Sequence, residues 1–160
     1  MFEELFRIKE FREQDAANAV SQAKAAVAEK QLALRDAKAA VSEYNEFRLA
    51  EEPRLFEEIR GAEVKLEKLE EMKQKVAMMR DHELKLQETV KEAETAVDTA
   101  KEALEAAEAA YHEARKELQK FEEFVKAQRE EAEKAESRKE EGEVEEISET
   151  AFASRTRGSV

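Results

Sequence analysis

Apolar side chains recur every seven residues through most of the second half of the chain. From Leu69 to Val125, eight heptads share one frame, and Glu83 is the single charged interruption. This spacing places two sets of side chains on one stripe of an α-helix, as in coiled coils. The first set comprises Leu69, Val76, Val90, Val97, Leu104, Tyr111, Leu118 and Val125, and the second comprises Met72, Met79, Leu86, Ala93, Ala100, Ala107, Ala114 and Phe121. The pattern predicts one long coiled-coil helix.

A less regular copy of the pattern occupies the first part of the chain. One set comprises Val20, Val27, Leu34 and Val41, the other comprises Ala23, Ala37 and Tyr44, and Glu13 and Lys30 interrupt them. Two amphipathic helices in one chain can pair with each other or with other molecules. Three glycines and one proline leave few places for the chain to turn, which favours a simple topology.

Antiparallel packing places the first set of one helix opposite the second set of the other. Pairing Val20 with Ala100 gives residue numbers that add to 120, and the same register pairs Leu34 with Leu86. The chain then folds back near residue 60, beside Gly61, which suits the left-handed residue that ends many helices. The predicted fold is therefore all-α, a long antiparallel two-helix coiled-coil hairpin with a C-terminal helical overhang and a disordered tail.

The predicted boundaries follow from this register. Helix 1 covers residues 1–60, with a bend near Pro53 because proline removes a helical hydrogen bond. The turn covers residues 61–63, and helix 2 covers 64–142. Phe2 is expected opposite Leu118, so residues 122–142 form an acidic overhang, and residues 143–160 are expected to be disordered because they lack periodicity. Residues 122–149 carry twelve acids and five bases.

Composition excludes several functional classes. The net charge of −12 opposes nucleic-acid binding, which requires clustered Lys and Arg. No apolar run approaches the length of a membrane span, and the N-terminus lacks the pattern of a cleaved leader, so we expect a cytosolic chain.

The sequence predicts neither a metal site nor a catalytic site. The chain has no Cys, and His82 and His112 are about 45 Å apart along one helix, so we expect no metal or cofactor. The common catalytic motifs are absent from the sequence, which disfavours an enzyme.

Two aromatic groups are candidate protein-interaction sites. The first comprises Phe2, Phe6, Phe11, Phe121 and Phe124, which the register brings to the open end of the hairpin. The second lies near the turn and comprises Tyr44, Phe47, Leu49, Leu55, Phe56 and Ile59. Each is either a structural plug that packs the helices together or a docking surface for a partner, since exposed aromatic clusters often mark interfaces.

Three segments resemble the YscO family of type III secretion proteins, which is similar in size and architecture to the flagellar export protein FliJ. Residues 44–59 read YNEFRLAEEPRLFEEI, residues 114–124 read ARKELQKFEEF, and residues 143–147 read EVEEI. The resemblance covers about residues 2–147. It implies a component of the export apparatus at the cytoplasmic face of a bacterial secretion system.

The resemblance also implies partners. Relatives of this kind look like the stalk of a rotary ATPase and insert the open end into a hexameric secretion ATPase. They also contact the export-gate protein and escort the chaperones of translocators. The open-end phenylalanines would then face the ATPase, and Tyr44, Phe47, Arg54, Leu55 and Phe56 are the candidate surface for the gate or a chaperone.

Two functional hypotheses follow. The first is a non-enzymatic, monomeric stalk and escort protein. The alternative is a structural or scaffolding coiled coil that self-associates in parallel through the same heptads. The two differ in whether the apolar seam is covered within one chain or between chains.

Overall fold

The computed structural model describes residues 2–60 and 66–157 and contains two helices, α1 (Phe2–Ile59) and α2 (Leu66–Arg157). The helices pack against each other in antiparallel fashion, and the described ranges contain no strand. The predicted all-α helical hairpin is therefore confirmed. The turn expected at residues 61–63, including Gly61, lies outside the described residues.

Helix α1 is continuous over 58 residues. Glu3 and Glu4 lie in its first turn, where acidic side chains interact favourably with the helix dipole. Pro53 lies inside this helix and has no N–H to donate to the carbonyl of Leu49. Both residues are exposed, so water can reach this carbonyl, and the helix continues past Pro53. The helix closes with a hydrogen bond from Arg60 N to Phe56 O of 3.1 Å.

Helix α2 extends beyond the end predicted for it. The expected disordered tail began at residue 143, whereas the structure is helical to Arg157. The prediction gave too much weight to Gly142. A single glycine weakens a helix by only about 1 kcal/mol, and no proline follows it. Thr150 Oγ1 also donates a hydrogen bond of 2.7 Å to the carbonyl of Glu146.

The structure divides into two units, which we treat separately. The terminal unit joins Met1–Asp15 to Tyr111–Val160, and the inner unit is Ala16–Ala110. In the inner unit the seam contains the most buried apolar side chains, which belong to Leu55, Met72 and Val97. Each keeps less than a tenth of its surface exposed.

The register of the inner unit differs from the predicted one by one heptad. Tyr44 contacts His82, and Asn45 bonds to Glu83, so the numbers of opposing residues add to about 127 rather than 120. A heptad pattern looks the same after a shift of seven residues, so apolar spacing could not separate the two registers.

The terminal unit has the same register. Phe6 contacts Phe121, and Lys9 pairs with Glu117. Phe2 therefore reaches Phe124 rather than Leu118, and the overhang predicted from residue 122 begins later, because Val125 is still half-buried. All side chains from residue 126 to residue 155 are exposed.

Candidate partner-binding surfaces

Four phenylalanine rings meet in the terminal unit, two from the first turns of α1 and two from α2. Phe2 lies 5.7 Å from Phe124 and 6.4 Å from Phe121, measured between ring centroids. Phe6 and Phe124 each lie 6.4 Å from Phe121. These separations, with tilted, edge and stacked geometries, are typical of favourable aromatic pairs. We call Phe2, Phe6, Phe121 and Phe124 the open-end cluster.

The open-end cluster has an inner and an outer half. Phe6 and Phe121 are half-buried, and the Nζ of Lys9 lies 6.0 Å from the centroid of Phe121. Phe2 and Phe124 keep 42% and 47% of their surface exposed. The inner pair packs the helices together, and the outer pair presents an apolar face to solvent.

A groove lies beside the open-end cluster. Its apolar wall includes Phe2, Phe6 and Val125. The charged lining residues are Glu3, Arg7, Glu10, Glu122, Lys126 and Arg129. An apolar strip bordered by both signs of charge suits a protein partner better than a small charged ligand.

Phe11 does not join the open-end cluster as the sequence predicted. Its side chain is 70% exposed and makes no ring contact among the described residues. It instead borders a shallow depression with Arg7 and Leu118. The prediction grouped phenylalanines by their nearness to the chain end without regard to which face of the helix each occupies.

The second predicted group is divided between the core and the surface. Leu55 is buried in the seam, whereas Leu49 and Phe56 are more than half exposed. Tyr44 and Phe47 lie together, with ring centroids 5.7 Å apart. This segment thus contributes side chains to both the core and the exposed surface.

A groove of about 800 Å³ follows Tyr44 and Phe47 across to α2. On α2 it is lined by Met78, which is 71% exposed, Met79 and His82. We call the apolar lining the aromatic–methionine groove; it comprises Tyr44, Phe47, Leu55, Met78, Met79 and His82. Methionine adapts its shape to different partners, so such linings are common at protein-binding surfaces.

His82 is an exposed residue that lines the aromatic–methionine groove. Its ring lies 4.5 Å from that of Tyr44, a contact that the sequence did not predict. His112 contacts Tyr111 in the terminal unit. Among the described residues, no group of His, Asp and Glu is arranged to hold a metal ion.

Arg54 lies at the edge of the aromatic–methionine groove and is held by acids of its own helix. Its Nη2 donates a 2.6 Å hydrogen bond to Glu51 Oε1, and its Nε donates one of 3.1 Å to Glu51 Oε2. This fork lowers the pKa of Glu51 and raises the pKa of Arg54. Arg54 is 64% exposed and therefore offers a positioned cation at the surface.

Charged side chains from both helices meet beside this groove. Asn45 Nδ2 donates a 2.6 Å hydrogen bond to Glu83 Oε1. Arg48 Nε lies 2.5 Å from Glu83 Oε2 and forms an ion pair with it. The N–H of this nitrogen does not point at the oxygen, so the contact is not a hydrogen bond. Glu83 keeps only 8% of its surface exposed. Arg48 also donates a 3.1 Å hydrogen bond to Glu52 Oε1 of its own helix. The same oxygen accepts a 3.2 Å hydrogen bond from Arg80 of α2.

We call Asn45, Arg48, Glu52, Arg80 and Glu83 the interhelical polar cluster. The hydrogen bond from Arg80, and then that from Arg48, lower the pKa of Glu52. The hydrogen bond to Glu52 also raises the pKa of Arg48. The sequence contained a signal for this cluster, because Glu83 is the only charge in the α2 seam, but its partners lie more than thirty residues away.

Three exposed apolar residues on the last turns of α2 also escaped the sequence analysis. Val144, Ile147 and Phe152 are each more than 60% exposed. The prediction of a disordered tail left them without a defined arrangement. In the described parts of the chain, neither helix contains a segment apolar enough to cross a membrane.

Comparison with known proteins gives one family and one solved structure. Residues 2–150 match the family described as Type III secretion protein YscO. The chain is similar to the 2.8 Å crystal structure of type III secretion protein YscO from Vibrio parahaemolyticus, with 29% sequence identity and a TM-score of 0.86. The similarity covers 91% of this chain and 92% of that chain. No curated protein matches the chain.

Proposed function

Because this chain belongs to the YscO family of type III secretion proteins and is a component of that secretion machinery, we propose that it is a non-enzymatic docking protein at the cytoplasmic face of the apparatus. In this role it acts as a stalk for the hexameric secretion ATPase. It also escorts the chaperones of translocators and contacts the export-gate protein.

The stalk role rests on the open-end cluster. Phe2 and Phe124 are exposed beside a groove with charges of both signs, and the inner rings of Phe6 and Phe121 hold them in place. Aromatic side chains that are already fixed lose little conformational freedom on binding, and such residues contribute strongly to protein interfaces. An apolar end of this kind suits insertion into a central opening of a partner.

The escort role rests on the aromatic–methionine groove. Phe47 and Met78 are both more than half exposed on facing helices, and Arg54 stands at the margin. The groove has the apolar floor and charged edge typical of partner-binding sites. We assign the chaperone or the export-gate protein to this groove and the ATPase to the open-end cluster.

A reciprocal binding experiment tests this assignment. Purified secretion ATPase, translocator chaperone and gate protein from the same bacterium are each titrated with the wild-type chain, Phe124→Asp and Phe47→Asp. We expect Phe124→Asp to weaken ATPase binding by about thirtyfold, as for truncation of an interface hot spot, and to leave the other partners unaffected. Phe47→Asp should weaken the binding of the chaperone or the gate protein and leave ATPase binding unaffected.

Each variant serves as the folding control for the other, and far-UV circular dichroism checks that both remain helical. Failure of the wild-type chain to bind any of the three partners at micromolar concentration would contradict the proposed function. Binding that both substitutions weaken equally would contradict the assignment of separate surfaces.

The alternative of a self-associating coiled coil finds less support. In each unit, the predicted apolar seam of α2 packs against α1 of the same chain. Parallel association through the same heptads would have to separate the two helices first.

A further inference from the structure

The apolar seam of the inner unit is compatible with two registers. In the observed register Val27 is placed opposite Ala100, and after a shift of one heptad it is placed opposite Ala93. Both arrangements pair one apolar set with the other, because the pattern repeats every seven residues. Apolar packing alone therefore gives little preference for the register that the molecule adopts.

The interhelical polar cluster distinguishes the two registers. In the observed register Glu83 meets Asn45 and Arg48, and all three are largely withdrawn from solvent. After the shift, Glu83 would be placed opposite Ala37, and Arg48 would be placed opposite Met72. Glu83 would lose both partners, whereas Arg48 would keep only its bond to Glu52 of the same helix. A carboxylate would then be left unpaired at a seam position, which is strongly unfavourable.

The second ion pair across the helices acts in the same direction. Arg80 Nε lies 3.2 Å from Glu52 Oε1, and the side chain of Glu52 is only 13% exposed. A shift of seven residues moves α1 about 10 Å along α2, which exceeds the reach of this pair. The contacts of Asn45 and Arg48 with Glu83 and of Glu52 with Arg80 thus all belong to one register.

We propose that the interhelical polar cluster is a register lock, and that breaking it allows α1 to slide along α2 into the register one heptad away. The apolar seam allows two registers of α1 on α2, and the polar contacts stabilise one of them. Buried polar side chains specify register in other coiled coils by the same physical effect.

The absence of native cysteine makes a direct test available. Two reporter chains carry Val27→Cys with Ala100→Cys, which face each other in the observed register, or Val27→Cys with Ala93→Cys, which face each other after the shift. Each reporter is made in three backgrounds: wild type, the lock variant Arg48→Met with Glu52→Met and Glu83→Leu, and a control that carries Arg35→Met, Glu46→Met and Glu94→Leu at exposed positions. Intramolecular disulfide formation under copper-phenanthroline oxidation is then measured by mass spectrometry.

In the wild-type and control backgrounds, we expect the 27–100 pair to cross-link and the 27–93 pair to remain mostly reduced. The lock variant should raise the 27–93 disulfide fraction by about tenfold. Glu83→Gln should raise the 27–93 fraction less than the lock variant does, because its amide oxygen still accepts the hydrogen bond from Asn45 although the ion pair with Arg48 is lost.

Two outcomes would overturn the proposal. One is a lock variant that cross-links only the 27–100 pair, because the register would then be set elsewhere in the chain. The other is a lock variant without helical circular dichroism, because removal of a lock between equivalent registers should leave the helices paired.

Discussion

Glu52 links the two helices through a single carboxylate. Its Oε1 accepts from Arg80 of α2 and from Arg48 of its own helix. Its ion-pair partner on α2 lies 28 positions away, at a distance that no local pattern reveals.

The depressed pKa of Glu52 gives a pH-dependent contribution to stability. A carboxyl group with a lower pKa in the folded state stabilises the fold at pH values above its unfolded pKa, near 4.5, and loses this effect as the pH falls through the folded pKa. Glu52→Gln should therefore lower the Tm at pH 7, and the difference from wild type should shrink below pH 4.5. Thermal denaturation at pH 7 and pH 3 measures this, with the exposed Glu94→Gln as control. An equal difference at both pH values would contradict the prediction.

Gly142 is the weak point of the exposed part of α2. A Cβ added there meets no atom within 4 Å, so Gly142→Ala gains helix propensity without steric cost. We expect amide hydrogen exchange in the flanking turns to slow by about fivefold, equivalent to about 1 kcal/mol. Ala135→Gly should speed exchange around its own position. Unchanged exchange in both variants would mean that this segment is not helical in solution.

At the scale of the helix, burial separates two methionines of α2 that lie six positions apart and on different helix faces. Met72 is 6% exposed in the seam, and Met78 is 71% exposed in the aromatic–methionine groove. Met72→Ala should destabilise the fold by about 2 kcal/mol, at the lower end for a core methionine because a two-helix seam is thin. Met78→Ala should change stability by less than about 0.5 kcal/mol. Urea denaturation compares the two variants, and equal effects would contradict the assigned helix face.

The heptad pattern of α2 was predictable from sequence because it depends on local periodicity. Each seam position assigned from Leu69 to Val125 is buried or half-buried in the structure, including Glu83. Register was not predictable in this way, because a heptad shift still places one apolar set opposite the other. The contacts that choose the register join Arg48 and Asn45 to Glu83, and they require the fold to be known.

The candidate sites also combine features that follow from local sequence with contacts that form only when the helices pair. The register error still brought Phe2 and Phe6 near Phe121, because four closely spaced rings tolerate a shift of one heptad. Phe11 was wrongly expected to meet the other rings, because its position on the helix face was not considered, and its part in partner binding stays a prediction. Met78 and His82 were missed because they lie outside the α2 seam and become neighbours of Tyr44 only after the helices pair.

At the scale of the whole molecule, the seam and the net charge both favour a monomer. The seam is covered within the chain, and a charge of −12 makes two copies repel each other. Light scattering after size-exclusion chromatography should give a mass near 18.3 kDa at both 50 mM and 500 mM salt. A mass twice this value at 500 mM salt alone would show that charge, and not the lack of a free apolar seam, keeps the copies apart, because salt screens repulsion between exposed charges. Phe124→Asp and Phe47→Asp would then identify the surface responsible, since a charge within an apolar contact between copies should restore the monomer.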